Sequence, residues 1–164
     1  MSSAPIVADA SALIALHQID HLDLLEQLFQ RIVIPPAVTR EIAPSVSLPA
    51  WIDQRGLSQP IGAQILAASL GAGESESISL ALETDAKWVI LDDRPARRLA
   101  QALRIPTVGT LGILVAAKRR GLISAVRPCL EALLRHDFRM APMLYDRVLK
   151  DVGEADSAKP RAEG

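Results

Sequence analysis

The chain predicts an α/β fold: a short, mostly parallel sheet of about four strands, with helices on both faces and extra helices at the C-terminal end. Short apolar runs alternate along the sequence with longer segments of helical periodicity, the pattern of a sheet built from crossover units. Two of those runs end directly on acids, at Asp9 and at Asp92-Asp93. Parallel strands present such ends along one edge of the sheet, where ligands of open α/β folds bind.

The first run is Ile6-Val7-Ala8, followed by Asp9-Ala10-Ser11 and a short helix over 11–16. Asp9 is both a candidate functional acid and a candidate helix cap, and the local sequence leaves both open. After a polar break, Asp20 is placed to cap a second helix over 21–29, with Leu22, Leu25, Leu28 and Phe29 as its apolar stripe. Ile32-Val33-Ile34 stops at Pro35-Pro36 and reads as a strand. Pro36 then suits the first turn of a helix to residue 43. Residues 44–60 carry Pro44, Pro49, Gly56 and Pro60 and predict a surface connection, with a short strand near Trp51-Ile52. Trp51 reads as a half-buried packing residue rather than a base-stacking platform.

Helices are expected over 61–70 and 74–84, separated by Gly71-Ala72-Gly73. Trp88-Val89-Ile90-Leu91 is a buried strand running onto Asp92-Asp93, and a helix over 94–103 follows. Ile105 to Val108 gives another strand, and Gly109-Thr110 opens a helix through Arg120 that Gly121 closes. Two helices remain, over 122–135 with an interruption near Pro128, and over 142–152. From Gly153 to Gly164 the composition turns polar, which predicts a disordered tail.

At 164 residues the chain fits one domain, and 49% hydrophobic with only 3% aromatic residues implies an aliphatic core. No run approaches the roughly 18–20 apolar residues of a membrane span, and no signal peptide is expected. The single Cys129 excludes an internal disulfide, suits a reducing cytoplasm and reads as a small buried hydrophobe. The net charge of −1 excludes a global basic field. Two local clusters remain candidates to track phosphates or to be solvated helix faces: Arg94, Arg97 and Arg98, and Lys118-Arg119-Arg120.

Acids at Asp9, Glu41, Glu74 and Asp92-Asp93 fall where such a sheet would converge. Helical periodicity separates Glu74, in line with Ile78, Ala81 and Leu82, from Glu76, in line with Ser79, Leu80 and Glu83. Glu74 is therefore the better site candidate. Glu41 borders the Val38/Ile42 stripe. Of Asp92 and Asp93, one is expected to bind and the other to cap the helix near Arg94-Pro95, with no local indication of which. Several carboxylates without His or Cys partners make a hard-oxygen site suited to Mg²⁺ or Mn²⁺ rather than Zn²⁺. His17 and His21 straddle a break and read as surface residues.

In this order the segments resemble the PIN domain, the nuclease fold of VapBC-type toxin–antitoxin systems. The resemblance covers residues 5–121. It rests on Ile6-Val7-Ala8-Asp9-Ala10-Ser11, Thr39-Arg40-Glu41-Ile42, Gly73-Glu74-Ser75-Glu76-Ser77-Ile78 and Val89-Ile90-Leu91-Asp92-Asp93-Arg94, with Ala96-Arg97-Arg98 and Gly109-Thr110-Leu111-Gly112. Leu91 stands where many relatives have Thr, and Glu74 where they often have Asp.

The resemblance implies a nuclease domain over 1–121, a helical extension over 122–152 and a tail over 153–164. It implies Mg²⁺ or Mn²⁺ held by Asp9, Glu41, Glu74 and Asp93, with Asp92 assisting and Ser11 supporting the first acid or a metal-bound water. Arg94, Arg97 and Arg98 would meet the substrate. The implied reaction is metal-dependent hydrolysis of an RNA phosphodiester by a cytoplasmic enzyme, with a small antitoxin and a homodimer mate as partners.

A phosphoacceptor receiver domain would need paired acids near the first strand and a Lys on a late strand. A haloacid-dehalogenase-type phosphatase would need Asp at position 11, which is Ser. The remaining alternative is a PIN-like RNA- or protein-binding module without turnover.

Overall fold

The computed structural model describes residues 3–155. The chain runs β1 (Ile6–Ala8), α1 (Ala10–Gln18), α2 (Asp23–Phe29), β2 (Ile32–Ile34), α3 (Pro36–Ile42), β3 (Ile52–Gln54) and α4 (Pro60–Leu66). It continues through α5 (Ala72–Thr84), β4 (Trp88–Ile90), α6 (Arg94–Ala102), β5 (Thr107–Val108), α7 (Thr110–Arg119), α8 (Arg127–Arg135) and α9 (Pro142–Asp151). The strands form one parallel sheet in the order β3-β2-β1-β4-β5. The sheet thus has five strands rather than about four. The fifth is β3, the short strand expected near Trp51-Ile52; it has a buried Ile52 but ends on the exposed polar Gln54.

Strand alternation divides the interior in two. Ile6, Ala8, Ile32, Ile34 and Ile90 join one apolar cluster with residues of α1, α7, α8 and α9. Val7, Val89 and Leu91 face a second with Ile78, Leu80 and Ala81 of α5 and Ala96 and Ala100 of α6. Helices therefore cover both faces, the arrangement that lets a parallel sheet bury both sides. Trp51 packs half-buried against the first cluster, and Cys129 is a free, buried thiol. Among the described residues, no helix is long and apolar enough to cross a membrane.

Three local expectations are corrected. Asp20 does not cap α2: its backbone is left-handed (φ 60°), and the helix begins at Asp23 with Leu22 as N-cap. Pro128 does not interrupt a helix over 122–135. It lies in the first turn of α8, where a missing N–H costs nothing. The tail does not begin at Gly153, because Glu154 is tied into the fold. Its carboxylate accepts hydrogen bonds from Val126 N (2.7 Å) and Arg127 N (3.1 Å) and pairs with Lys118 Nζ at 3.1 Å. The rest of the predicted tail, 156–164, lies outside the described residues.

Glu154 thus satisfies the free N–H groups at the start of α8 and closes the C-terminal helices onto α7. Glu154→Ala removes an acceptor for two backbone donors and one ammonium. We expect it to lower the unfolding free energy by roughly 1–3 kcal/mol, measured by urea denaturation. An unchanged midpoint would show that the clamp contributes nothing.

Candidate active site

The strand order reverses between β1 and β4: β2 and β3 lie on one side of β1, β4 and β5 on the other. A crevice opens at such a switch point, beyond the carboxyl ends of the two strands. Asp9 leaves β1 there, held by its N–H to Ile90 O at 3.0 Å, and Asp92-Asp93 follow β4.

Asp9 sits in the N-cap position of α1, yet its side chain makes no capping hydrogen bond. It is 2% exposed, and its Oδ1 is buried without a hydrogen-bond partner. Burial pushes its pKa from the usual 3.8 up to about 7; the nearby Ala10 N–H pulls it down, while Glu74, Glu41 and Asp92 push it further up. Glu74 is also raised, first by burial and then by Asp93 and Glu41, with the Gly71 N–H opposing. The five acids singled out by sequence therefore share one electrostatic neighbourhood.

The glycine break before Glu74 has a steric reason. A Cβ on Gly73 would lie 2.6 Å from Glu41 Oε1 and 3.0 Å from Asp9 Oδ1. Only a residue without a side chain lets α5 approach the two acids this closely. In that approach Gly73 N donates to Glu41 Oε1 at 3.1 Å, and Gly71 N to Glu74 Oε2 at 3.0 Å. Glu76 points elsewhere: its Oε2 accepts from Ala37 N at 2.7 Å, at the start of α3. The two glutamates do take different partners, but burial does not follow the expected faces: Leu82, in line with Glu74, is 49% exposed, while Ser79 and Leu80, in line with Glu76, are buried.

Asp92 and Asp93 both take backbone donors, on different helices. Asp92 accepts from Thr110 N (2.7 Å) and Thr110 Oγ1 (2.6 Å), and Asp93 caps α6 through Ala96 N at 3.1 Å. Asp93 is thus the one that caps the helix at Arg94-Pro95, and Asp92 is held by the start of α7, an anchor the local sequence did not indicate. The signal for the second cap was Gly109-Thr110, since a Cβ at Gly109 would lie 2.8 Å from Asp92 Oδ1.

A cleft of about 880 Å³ opens over these acids, with Ser11, Glu74, Asp92 and Asp93 in its lining. Arg94, Arg97 and Arg98 line it as well, and none of them forms an ion pair among the described residues. The second basic cluster takes structural partners, with Lys118 on Glu154 and Arg120 Nη1 donating to Leu28 O. Phe138, Arg139 and Leu144 also line the cleft, a contribution of the C-terminal helices that sequence reasoning missed.

As the side chains stand, no group of three or more His, Cys, Asp or Glu among the described residues is arranged to hold a metal ion. The chemistry of the donor set nonetheless fits a hard divalent cation. It is all carboxylate, crowded with like charge, and contains a buried oxygen that no protein donor satisfies.

A parallel sheet with acids gathered at its switch point, beside an arginine-lined cleft, defines an α/β protein with a carboxylate-rich site at the ends of its strands. The chain belongs to the PIN-domain family: the model of a PIN-domain family matches residues 5–154, so the match includes α8 and α9. PIN domains are typically nucleases that use divalent metals. No curated protein matches the chain.

Asp9 gives the site a pH signature in the absence of metal. Between about pH 4 and pH 7 the folded chain holds a proton on Asp9 that the unfolded chain has released. Its contribution to stability is therefore fully present below the ordinary carboxylate pKa and lost as pH rises through about 7. In chelator, Asp9→Asn should remove this part of the decline and be more stable than wild type at pH 8, by roughly 2–4 kcal/mol. Denaturant melts across pH 4–8 test this, and a variant less stable than wild type at pH 8 would overturn it.

Proposed function

We propose that this protein is a metal-dependent endoribonuclease that hydrolyses RNA phosphodiester bonds as the toxin of a toxin–antitoxin pair. The observation that carries the reading is the unpartnered, buried Oδ1 of Asp9, crowded by Glu41, Glu74 and Asp92 beneath a cleft lined by arginines. Asp9, Glu41, Glu74 and Asp93 would hold Mg²⁺ or Mn²⁺, with Asp92 assisting. A bound divalent ion would offset their repulsion, polarise a phosphate and lower the pKa of a water molecule.

The chain's own residues supply the rest. Arg94, Arg97 and Arg98 attract the RNA backbone and orient a phosphate toward the acids. Ser11, exposed at the N-terminal turn of α1, offers a hydroxyl beside Asp9 in sequence and inside the cleft. The Gly73 and Thr110 N–H groups fix Glu41 and Asp92 in place.

The reading predicts cleavage of a mixed RNA pool that needs Mg²⁺ or Mn²⁺. Asp9→Asn, Glu74→Gln and Asp93→Asn should each lower it on the order of 100-fold or more. Glu76→Gln should leave cleavage near wild type, because the amide oxygen can still accept from Ala37 N and keep the start of α3 in place. Unchanged cleavage by Asp9→Asn and Asp93→Asn would end the catalytic assignment. The second reading, a PIN-like RNA- or protein-binding module without turnover, draws on the acids already being engaged by backbone donors rather than grouped as ligands. Well-folded wild type that binds RNA and Mn²⁺ but cleaves nothing would favour it.

A small antitoxin and a second copy of the chain are the proposed partners, in the cytoplasm. Support for a protein partner comes from α4, where Ile61 and Ile65 are 67% and 68% exposed one helical turn apart. The homodimer reading predicts twice the chain mass by light scattering and a monomer for Ile61→Asp/Ile65→Asp. A wild-type monomer at working concentration would remove the homodimer.

A further inference from the structure

The C-terminal helices bring to the cleft a kind of surface that metal and phosphate chemistry leaves unused. α8 stops abruptly: Asp137 is left-handed (φ 62°), its N–H bonds to Leu134 O at 3.2 Å, and Phe138 N bonds to Leu133 O at 3.0 Å. These two bonds are those of a Schellman stop, which fixes the direction of the residues beyond the helix. Phe138 is half-buried against the main apolar cluster, so its ring is held by packing. It nevertheless lines the same cleft as Glu74, Asp92 and Asp93, together with Leu111 and Leu144. Arg139 follows directly, exposed, lining the cleft and outside any ion pair among the described residues.

A phosphate gains nothing from a phenyl ring or from leucines, but a nucleobase does, since every base has a π-face to stack. A base within a duplex is already stacked on both sides, so such a platform selects single strands. An arginine one residue away supplies the charge for the adjoining phosphate.

We infer that Phe138 and Arg139 form a nucleotide subsite, in which Phe138 stacks a base of single-stranded RNA and Arg139 holds its flanking phosphate. The inference rests on the ribonuclease reading for its substrate class. It assigns the helices after residue 121 a part in substrate selection, with Phe138 acting as a positioning residue.

The test combines binding with turnover. Anisotropy of a labelled, unstructured RNA oligonucleotide is measured on the full chain in the Asp9→Asn background, so that cleavage does not interfere. Phe138→Leu keeps the apolar packing and loses the aromatic face, and should weaken binding on the order of 10- to 100-fold. Phe138→Trp should restore it. Arg139→Gln, at an exposed position that leaves the core untouched, should weaken binding and make its salt dependence shallower by about one phosphate contact. In otherwise wild-type protein, Phe138→Leu should raise KM more than it lowers kcat.

Wild-type affinity in both Phe138→Leu and Arg139→Gln would overturn the subsite, even where metal-dependent cleavage holds. If wild type cleaves no RNA while Phe138→Leu and Arg139→Gln still weaken binding, the subsite stands and the turnover reading falls.

Discussion

The structure turns on a carboxylate placed where water barely reaches and no donor satisfies one of its oxygens. Asp9 is fixed there by main-chain geometry, because it follows β1 and its N–H is spent on Ile90 O. A tenfold change in proton affinity corresponds to about 1.4 kcal/mol between the two protonation states. A pKa near 7 therefore marks a conflict of a few kcal/mol in the metal-free chain, against a typical domain stability of about 5–15 kcal/mol. The neighbouring elements intensify that conflict. Gly73 leaves the room that Glu41 Oε1 and Asp9 Oδ1 occupy, since a Cβ there would lie 2.6 Å and 3.0 Å from them. A fold selected for stability alone would have an amide at position 9.

The surrounding acids tolerate one another because backbone donors share the load. Helices that follow parallel strands start at the carboxyl edge of the sheet, so their free N–H groups and positive dipole ends gather beside the acids. Glu74, Asp92 and Asp93 each accept from such a terminus, on α5, α7 and α6 in turn. Glu41 from α3 reaches the N-terminal turn of α5, and Glu76 from α5 reaches that of α3. This reciprocal latch sets the position of Glu41, an exposed residue on a seven-residue helix that could not hold itself in place. Capping and site geometry are thus one set of interactions. The acids are held by the same N–H groups they satisfy.

That overlap explains which parts were legible in the sequence. Strand runs ending on acids placed β1, β4, Asp9 and Asp92-Asp93, because alternating burial and a parallel sheet leave strand ends few destinations. The Gly73-Glu74 start of α5 was legible only through the resemblance to the PIN domain, since the residues alone put Gly73 in a break between helices, whereas α5 begins at Ala72. The cap at α2 was misread because Asp20 has the residue type for capping, whereas the chain uses it in a left-handed turn before Leu22. The double capping by Asp92 and Asp93 was not visible, since Thr110 lies far along the chain and only the sheet brings the two together. Phe138 and Arg139 carried no local pattern at all. Their place in the cleft depends on where the stop of α8 turns the chain, and no periodicity encodes that.

A net charge of −1 also concealed how charge is arranged. At this site the negative groups lie at the switch point, where Asp9 is buried and its neighbours are held against helix termini, while Arg94 and Arg98 are exposed in the lining of the cleft above. Over a Debye length of about 8 Å, an incoming polyanion meets the exposed guanidinium groups first. The acids beneath are partly offset by backbone dipoles, and a divalent ion would offset them further. Under the RNA reading, approach and chemistry call for opposite charge, and the cleft carries both, with exposed arginines in the same lining as the half-buried Glu74, Asp92 and Asp93. The arginines come from α6 and the segment after α8, the acids from the strand ends and from α3 and α5. Among the described residues none of these guanidinium groups forms an ion pair with the site acids, although Asp93, the N-cap of α6, directly precedes Arg94. Had Arg94 or Arg98 closed onto Asp93, the two charges would offset each other, and the proposed RNA reading would lose the free cations that a phosphate needs.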